Sequence, residues 1–144
     1  MKKGIDYIGV TVCFYCHDGK GNLLLQKRSH KCRDEQGMWD CGGGSMRFGE
    51  TFEEAARREI KEEYCCEPES LQMAGVANVI RQNGSHKSHW VAIIFAAQLN
   101  PDKVQIGEKE MMDEIQWFRF DNLPHPLHSM YMAHLEYAKK YIHL

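Results

Sequence analysis

The chain of 144 residues lacks the features that mark several special classes of protein. Its longest uncharged apolar run, residues 90–97, is far shorter than the ~20 residues that cross a bilayer. Met1-Lys2-Lys3 leads into a strand-like alternation and not into the apolar stretch of a signal peptide. No repeat, low-complexity tract or linker divides the chain. These absences predict one cytoplasmic domain over residues 1–144, with no membrane partner.

Neither sign of charge is in excess. Lys and Arg total 18 and Asp and Glu total 20, so the formal net charge is −2. No basic field is present to hold a nucleic-acid backbone, and we expect no nucleic-acid polymer as a partner. The six cysteines occur without an export signal in a chain long enough to bury a core, so we expect reduced thiols.

The pattern of apolar residues predicts an α/β domain. A strand over residues 7–16 and a second at Asn22–Arg28 flank a polar turn with two glycines, which indicates a hairpin. Residues 29–50 are poor in apolar side chains and contain Gly42-Gly43-Gly44, which is typical of a functional loop. Further strands are predicted over residues 71–81, 89–99 and 115–120.

Two helices are predicted. The first covers residues 51–64, because Thr51 and Glu54 can form a capping box and the interior lacks Gly and Pro. The second closes the chain, because apolar residues recur at helical spacing from Leu127 to Ile142.

Three glutamates crowd one face of the first predicted helix. At about 100° per residue, Glu59, Glu62 and Glu63 fall within one turn, and Glu59 and Glu63 border the apolar sector. Inward carboxylates are costly unless they are paired or bind a metal, and oxygen ligands suit Mg²⁺ or Mn²⁺. The alternative is a solvated acidic face with i,i+4 pairs such as Glu54 with Arg58.

The residues around these carboxylates follow a distinctive spacing. Gly44 is followed after five residues by Glu50, after seven more by Arg58-Glu59-Ile60, and then by Glu62-Glu63. This run resembles the signature of the Nudix hydrolases, G-x5-E-x7-R-E-U-x-E-E-x-G-U, where U is a bulky aliphatic residue. At average amino-acid usage, a chance match of these positions in the chain is on the order of one in a million.

Three positions depart from the family's pattern. Cys65 stands where the family has glycine, just after the helix, where a left-handed conformation is usual and costs another residue roughly 1 kcal/mol. Cys66 replaces the aliphatic residue, and Gly42 stands where many members have proline. No departure removes a carboxylate, so we expect metal binding to be retained.

The resemblance implies an α/β/α sandwich with a mixed sheet between helices, and a MutT-like nucleoside triphosphate pyrophosphatase as the nearest subclass. Mg²⁺ or Mn²⁺ is the implied cofactor and a small nucleotide the implied partner. The implied site residues are the metal-binding Glu59, Glu62 and Glu63, the assisting Glu50, the orienting Arg58, and Gly43 and Gly44, whose backbone approaches the metal and phosphates.

The implied reaction is attack by water on a phosphorus of a nucleoside diphosphate linked to another group. A (deoxy)nucleoside triphosphate would give the monophosphate and pyrophosphate. The general base is left open among Glu62, Glu63 and a loop carboxylate, for which Glu110 is the candidate. Gln82 and Asn83 stand where ADP-ribose hydrolases of this family often carry Pro and dinucleoside polyphosphate hydrolases Tyr, which favours triphosphates.

Two alternative functions remain. One is a pyrophosphatase for ADP-ribose or a nucleotide sugar. The other is a nucleotide-binding sensor without turnover, although a pure binder gains little from three mutually repelling carboxylates. A homodimer is left open.

Four more residues are candidate substrate contacts. Trp39 and Phe48 flank the glycine run and either stack on a base or seal the loop against the core. Arg28 ends the second predicted strand and either meets phosphate or pairs with a local carboxylate. His89 begins a strand and either lines the substrate pocket or has a surface role.

Cys13 and Cys16 form a C-x-x-C pattern on the first predicted strand. An offset of three residues on a strand points the two thiols to opposite faces. We therefore expect no zinc or redox site from this pair.

Overall fold

The structure, a computed structural model that describes residues 1–142, is built on a seven-stranded mixed sheet. The strands are β1 (Gly9–His17), β2 (Asn22–Arg28), β3 (Trp39–Asp40), β4 (Gly42–Ser45), β5 (Ser70–Asn83), β6 (His86–Gln98) and β7 (Met112–Arg119). The helices are α1 (Phe52–Tyr64) and α2 (Tyr131–Ala138), with short 3-10 helices at Pro101–Lys103 and Lys139–Tyr141.

The sheet is held together by one parallel pair at its centre. Its main path runs β3-β2-β1-β6-β5, while β4 pairs with β1 and β7 with β2. β1 and β6 run parallel, from Gly9 opposite Trp90 to His17 opposite Gln98, and the other paired strands are antiparallel. A parallel pair needs a long crossover, which here contains α1.

Each face of the sheet carries one helix and one hydrophobic core. Val12 and Phe14 of β1 point to the face where Ile60 of α1 packs, whereas Tyr15 points to the face covered by Leu135 of α2. This division follows from the alternation of side chains along a strand. The predicted α/β/α sandwich with a mixed sheet is confirmed. Cys16 and Cys13 also lie on opposite faces, as predicted.

α1 begins and ends as its local sequence predicts. Thr51 Oγ1 accepts a hydrogen bond from the Glu54 amide (3.1 Å), and the Thr51 amide donates to Glu54 Oε1 (2.9 Å), completing the capping box. At the other end Cys65 is left-handed, with φ 60° and ψ 26°, and its amide donates to the Lys61 carbonyl at 3.0 Å. The chain therefore leaves the helix in the conformation that glycine adopts most readily.

The prediction of a loop over residues 29–50 is wrong in part, because this segment contains β3 and β4. The glycine run is a strand paired with β1, Gly43 lying opposite Cys13 and Gly44 opposite Val12. A Cβ on Gly43 would lie 2.6 Å from the Val12 carbonyl oxygen, so the close pairing requires glycine. Strand propensity rests on side-chain packing and gives no signal in a stretch without side chains.

The closing helix is shorter than predicted. α2 begins at Tyr131 and not at Leu127, because Leu127 forms an isolated β-bridge with Trp39. The Trp39 amide donates to the Pro126 carbonyl and the His128 amide to the Trp39 carbonyl, so residues 126–128 follow a strand-like path.

Among residues 1–142, no helix is long and apolar enough to cross a membrane.

We expect Cys65→Gly to raise the free energy of unfolding by about 1 kcal/mol, because glycine adopts a φ of 60° without strain from a Cβ. Urea unfolding of the wild type and the variant measures this change. Cys65→Ala is the matched control, since it removes the thiol but keeps the Cβ. Equal stabilisation by both substitutions would contradict the conformational explanation.

Candidate functional site

The carboxylates of α1 point at the glycine strand β4. Glu59 and Glu63 are 8% and 3% exposed, which places both inward as the helical spacing predicts. The Gly43 amide donates to Glu63 Oε2 at 3.3 Å. A Cβ on Gly44 would collide with the Glu59 carboxylate, so glycine at this position lets the carboxylate lie against the strand backbone. Gly44 thus leaves space for the Glu59 carboxylate, and Gly43 supplies a backbone donor to Glu63.

Three carboxylates converge at the surface of the contact between α1 and β4. One carboxylate oxygen each from Glu59, Glu62 and Glu108 lies within 4.8 Å of the others. Glu108 lies in the loop before β7. Two hydrogen bonds hold this loop against the C-terminal end of α1. The Gly107 amide donates to the Glu63 carbonyl (2.8 Å) and the Gln105 amide to the Tyr64 carbonyl (3.1 Å). These bonds satisfy helix-end carbonyls that would otherwise lack partners, and they bring Glu108 to the cluster.

The loop carboxylate chosen from sequence, Glu110, lies outside this cluster. Its side chain is 80% exposed and 3.5 Å from Lys31 Nζ, while its carbonyl accepts a hydrogen bond from Ser29 Oγ (2.5 Å). Glu108 and Glu110 both belong to the acidic segment 107–114. Only the tertiary hydrogen bonds of Gly107 show that Glu108 is the member that faces α1.

Arg58 joins the carboxylates electrostatically. Its guanidinium donates to Glu50 at 2.5 and 3.0 Å, to Glu59 Oε1 at 2.6 Å and to Glu62 Oε2 at 3.3 Å. The hydrogen bonds from Arg58, with a further one from the Arg47 amide, lower the pKa of Glu50 to about 2. Charge-assisted pairing of this kind fixes side-chain geometry, so Arg58 orients Glu59 and Glu62 while Glu50 orients Arg58.

Burial and like charges oppose ionisation elsewhere in the site. Burial raises the pKa of Glu63 well above its usual range, and the neighbouring Glu59 and Glu108 raise it further. The pKa of Glu108 is raised by burial and by Glu59 and Glu62. A divalent cation relieves such repulsion, and a donor set made only of carboxylate oxygens suits Mg²⁺ or Mn²⁺. The residues present therefore fit the cation that their spacing implies.

A cavity of about 420 Å³ opens on the other side of the glycine strand. Gly43 and Gly44 line it, and so do Arg28 at the end of β2 and Trp90 of β6, which lies opposite Gly9 at the start of the parallel pair. Its volume lies in the range of pockets that hold one small ligand. Because the same glycines contact Glu63 and Glu59, β4 separates the cavity from the carboxylates.

The predicted roles of Arg28 are both compatible with its position. Its Nη2 lies 2.8 Å from Asp34 Oδ1 and its Nη1 lies 3.7 Å from Asp40 Oδ2, so it pairs with local carboxylates while lining the cavity. Sequence reasoning missed most of the other polar residues of the wall, which come from distant segments. They include Arg33, Asp40, Arg81, His128 and His134.

Three candidate substrate contacts lie away from the cavity. Trp39 is buried and packs edge-on against Phe118, with 5.1 Å between the ring centroids. It therefore belongs to the hydrophobic core under α2 and does not face the cavity. Phe48 is fully exposed beyond the end of β4. His89 Nε2 lies 3.0 Å from Asn78 Oδ1 beside a separate surface pocket. Nearness in sequence to the glycine run or to a strand start did not indicate which way these side chains point.

Comparison with known proteins agrees with the geometry. The family model described as NUDIX domain matches residues 8–140. A human protein named 8-oxo-dGDP phosphatase NUDT18 is 30% identical over 98% of this chain, which spans only 41% of that relative's length. A Methanocaldococcus jannaschii protein named ADP-ribose pyrophosphatase is 31% identical over 71% of this chain and 57% of its own.

A solved structure shows the same architecture. The MutT NUDIX hydrolase from Burkholderia pseudomallei superposes with a TM-score of 0.80 at 29% identity, over 91% of this chain and 98% of that one. The family model covers most of the chain and includes the glycine strand, the carboxylate helix α1 and the loop that carries Glu108. The chain therefore belongs to the NUDIX domain family.

Proposed function

We propose that this chain hydrolyses a nucleoside diphosphate linked to another group, with a divalent cation as cofactor. The observation that carries the proposal is the cluster of Glu59, Glu62 and Glu108, whose oxygens lie within 4.8 Å of one another, across the glycine strand from the cavity. The proposed substrate is a (deoxy)nucleoside triphosphate, cleaved to the monophosphate and pyrophosphate. A cavity of about 420 Å³ suits one nucleotide better than a polymer.

Different residues of the chain have different roles in the proposed reaction. A bound Mg²⁺ or Mn²⁺ would neutralise phosphate charge and lower the pKa of the attacking water. Glu59, Glu62, Glu63 and Glu108 would hold the cation, with Arg58 fixing the carboxylates. Glu62 and Glu108 are the more exposed members, so one of them is placed to accept the proton of the attacking water.

A second candidate substrate is ADP-ribose, since the archaeal relative is named as an ADP-ribose pyrophosphatase. The human relative's name adds an oxidised nucleoside diphosphate to the compounds worth testing. In all three cases a phosphoanhydride would be cleaved, so the substrates differ in what the cavity holds and not in the carboxylate cluster.

Release of phosphate and pyrophosphate from a panel of nucleotides tests the proposal. The panel contains nucleoside triphosphates, oxidised nucleoside diphosphates, ADP-ribose, nucleotide sugars and dinucleotides, each with Mg²⁺ and with EDTA. We expect Mg²⁺-dependent pyrophosphate release from a triphosphate. Cleavage of ADP-ribose or a sugar nucleotide alone would replace the substrate class, and metal-dependent binding without turnover would favour a sensor.

We expect Glu63→Gln to lower turnover by orders of magnitude without unfolding the domain. The amide keeps the volume of the buried side chain but cannot carry the negative charge that a cation requires. Initial rates at saturating Mg²⁺, together with circular dichroism, measure both effects. Glu53→Gln is the matched control, because Glu53 lies on the same helix, is exposed and forms an ion pair with Arg57 one turn away. Near-normal turnover of Glu63→Gln would remove Glu63 from the site.

A second pair of variants separates the two loop carboxylates. We expect Glu108→Gln to weaken Mg²⁺ activation at least tenfold, because it removes one of the three converging oxygens. Glu110→Gln, two residues away, should change activation by less than about twofold, because its side chain is exposed to solvent. Titration of activity with Mg²⁺ gives both values, and the reverse order would assign the role to Glu110.

A further inference from the structure

Two thiols lie side by side in the wall of the cavity, and the proposed hydrolysis uses neither. Cys13 is on β1 and Cys41 immediately precedes β4. Cys13 faces Gly43 across the β1–β4 ladder, and Cys41 lies two residues before Gly43, so the cysteines are diagonal neighbours on one face. Gly43 has no side chain to separate them. Both line the cavity, which makes them accessible to small molecules.

The surroundings of the pair favour a reactive Cys13. A hydrogen bond with Cys41 lowers the pKa of Cys13 to about 7, against the effect of burial, and His134 of α2 lowers it further. Asp40 opposes these effects by its charge. The same hydrogen bond raises the pKa of Cys41, together with burial. Cys13 is therefore the member of the pair that ionises more readily, and Cys41 is its hydrogen-bond donor.

The other cysteines lack this arrangement. Cys16 and Cys66 lie in the opposite core, under α1. The Cys32 thiol donates to the Met111 carbonyl at 3.1 Å. Cys65 is exposed at the end of α1, away from the cavity. The C-x-x-C spacing brings no second thiol to Cys13, because Cys16 lies on the opposite face of the sheet. The pairing of β1 with β4 supplies Cys41 as the neighbour of Cys13.

We propose that Cys13 and Cys41 form an oxidisable dithiol, and that a hydroperoxide converts it into a disulfide in the cavity wall. The Cys13 thiolate attacks a peroxide oxygen, so an S–O bond forms, the O–O bond breaks, and the leaving oxygen takes a proton as water or an alcohol. The Cys41 sulfur then attacks Cys13, the S–S bond forms, and hydroxide leaves as water with the Cys41 proton. The two thiols lose two electrons and two protons in all, and the peroxide is reduced.

The disulfide would change the ligand site. A disulfide holds its Cβ atoms about 3.8 Å apart, closer than diagonal strand neighbours usually lie, so its formation draws β1 and the start of β4 together. Gly43 lies between them and donates to Glu63. We expect the oxidised chain to bind nucleotide more weakly, a consequence that rests on the proposed function whereas disulfide formation does not.

Peptide mass spectrometry of the full chain tests the dithiol directly. The chain is treated with hydrogen peroxide and digested without reductant, alongside Cys41→Ser and Cys65→Ser. We expect a linked Cys13–Cys41 peptide in the wild type and in Cys65→Ser, its loss in Cys41→Ser, and its reversal by dithiothreitol. A Cys13 sulfenic acid that accumulates without the link, or links between other cysteines, would overturn the proposal.

Alkylation rates test the role of Cys41 separately. Cys41→Ala removes the hydrogen-bond donor, so iodoacetamide should modify Cys13 several-fold more slowly at pH 7 than in the wild type. Cys41→Ser keeps a hydroxyl donor and should retain most of the rate, although it cannot form the disulfide. Equal rates in all three chains would contradict the assigned donor. Neither readout depends on turnover, so a negative result here is distinct from failure of the proposed hydrolysis.

Discussion

The close packing of α1 against the glycine strand β4 places two carboxylates, Glu59 and Glu63, in a buried position where they repel each other. The rest of the site compensates for this arrangement. Gly44 leaves space for Glu59, the Gly43 amide donates to Glu63, and the Arg58 guanidinium neutralises part of the charge. A Cβ at Gly44 would displace the Glu59 carboxylate, and a Cβ at Gly43 would press on the Val12 carbonyl and disturb the pairing of β4 with β1.

The two faces of the sheet carry different parts of the candidate site. The α1 face carries the carboxylates, and the α2 face carries the cavity. The strand β4 is the boundary between them, and its backbone is reachable from both sides because glycine has no side chain. Through this arrangement one short segment would contribute to both the proposed cation site and the proposed dithiol of Cys13 and Cys41.

The outer wall of the cavity depends on an ion-pair network centred on Glu35. Glu35 is left-handed, with φ 46°, and its carboxylate accepts hydrogen bonds from the Ser129 amide (2.7 Å) and from Arg81 (2.9 Å). His128 Nε2 lies 2.7 Å from the same carboxylate. These contacts tie the loop after β2 to β5 and to the segment before α2. The shape of the cavity is therefore set by residues far apart in the chain.

Residues close together in the chain specify the local features: the capping box of Thr51 and Glu54 and the inward face of Glu59 and Glu63. Each depends on residues within one or two helical turns, where spacing dictates geometry. Contacts between distant segments explain why Glu108 and not Glu110 joins the carboxylates, why Trp39 packs in a core, and why Cys41 is the neighbour of Cys13. These outcomes depend on hydrogen bonds and strand pairing between distant segments, and no local pattern in the sequence specifies such contacts.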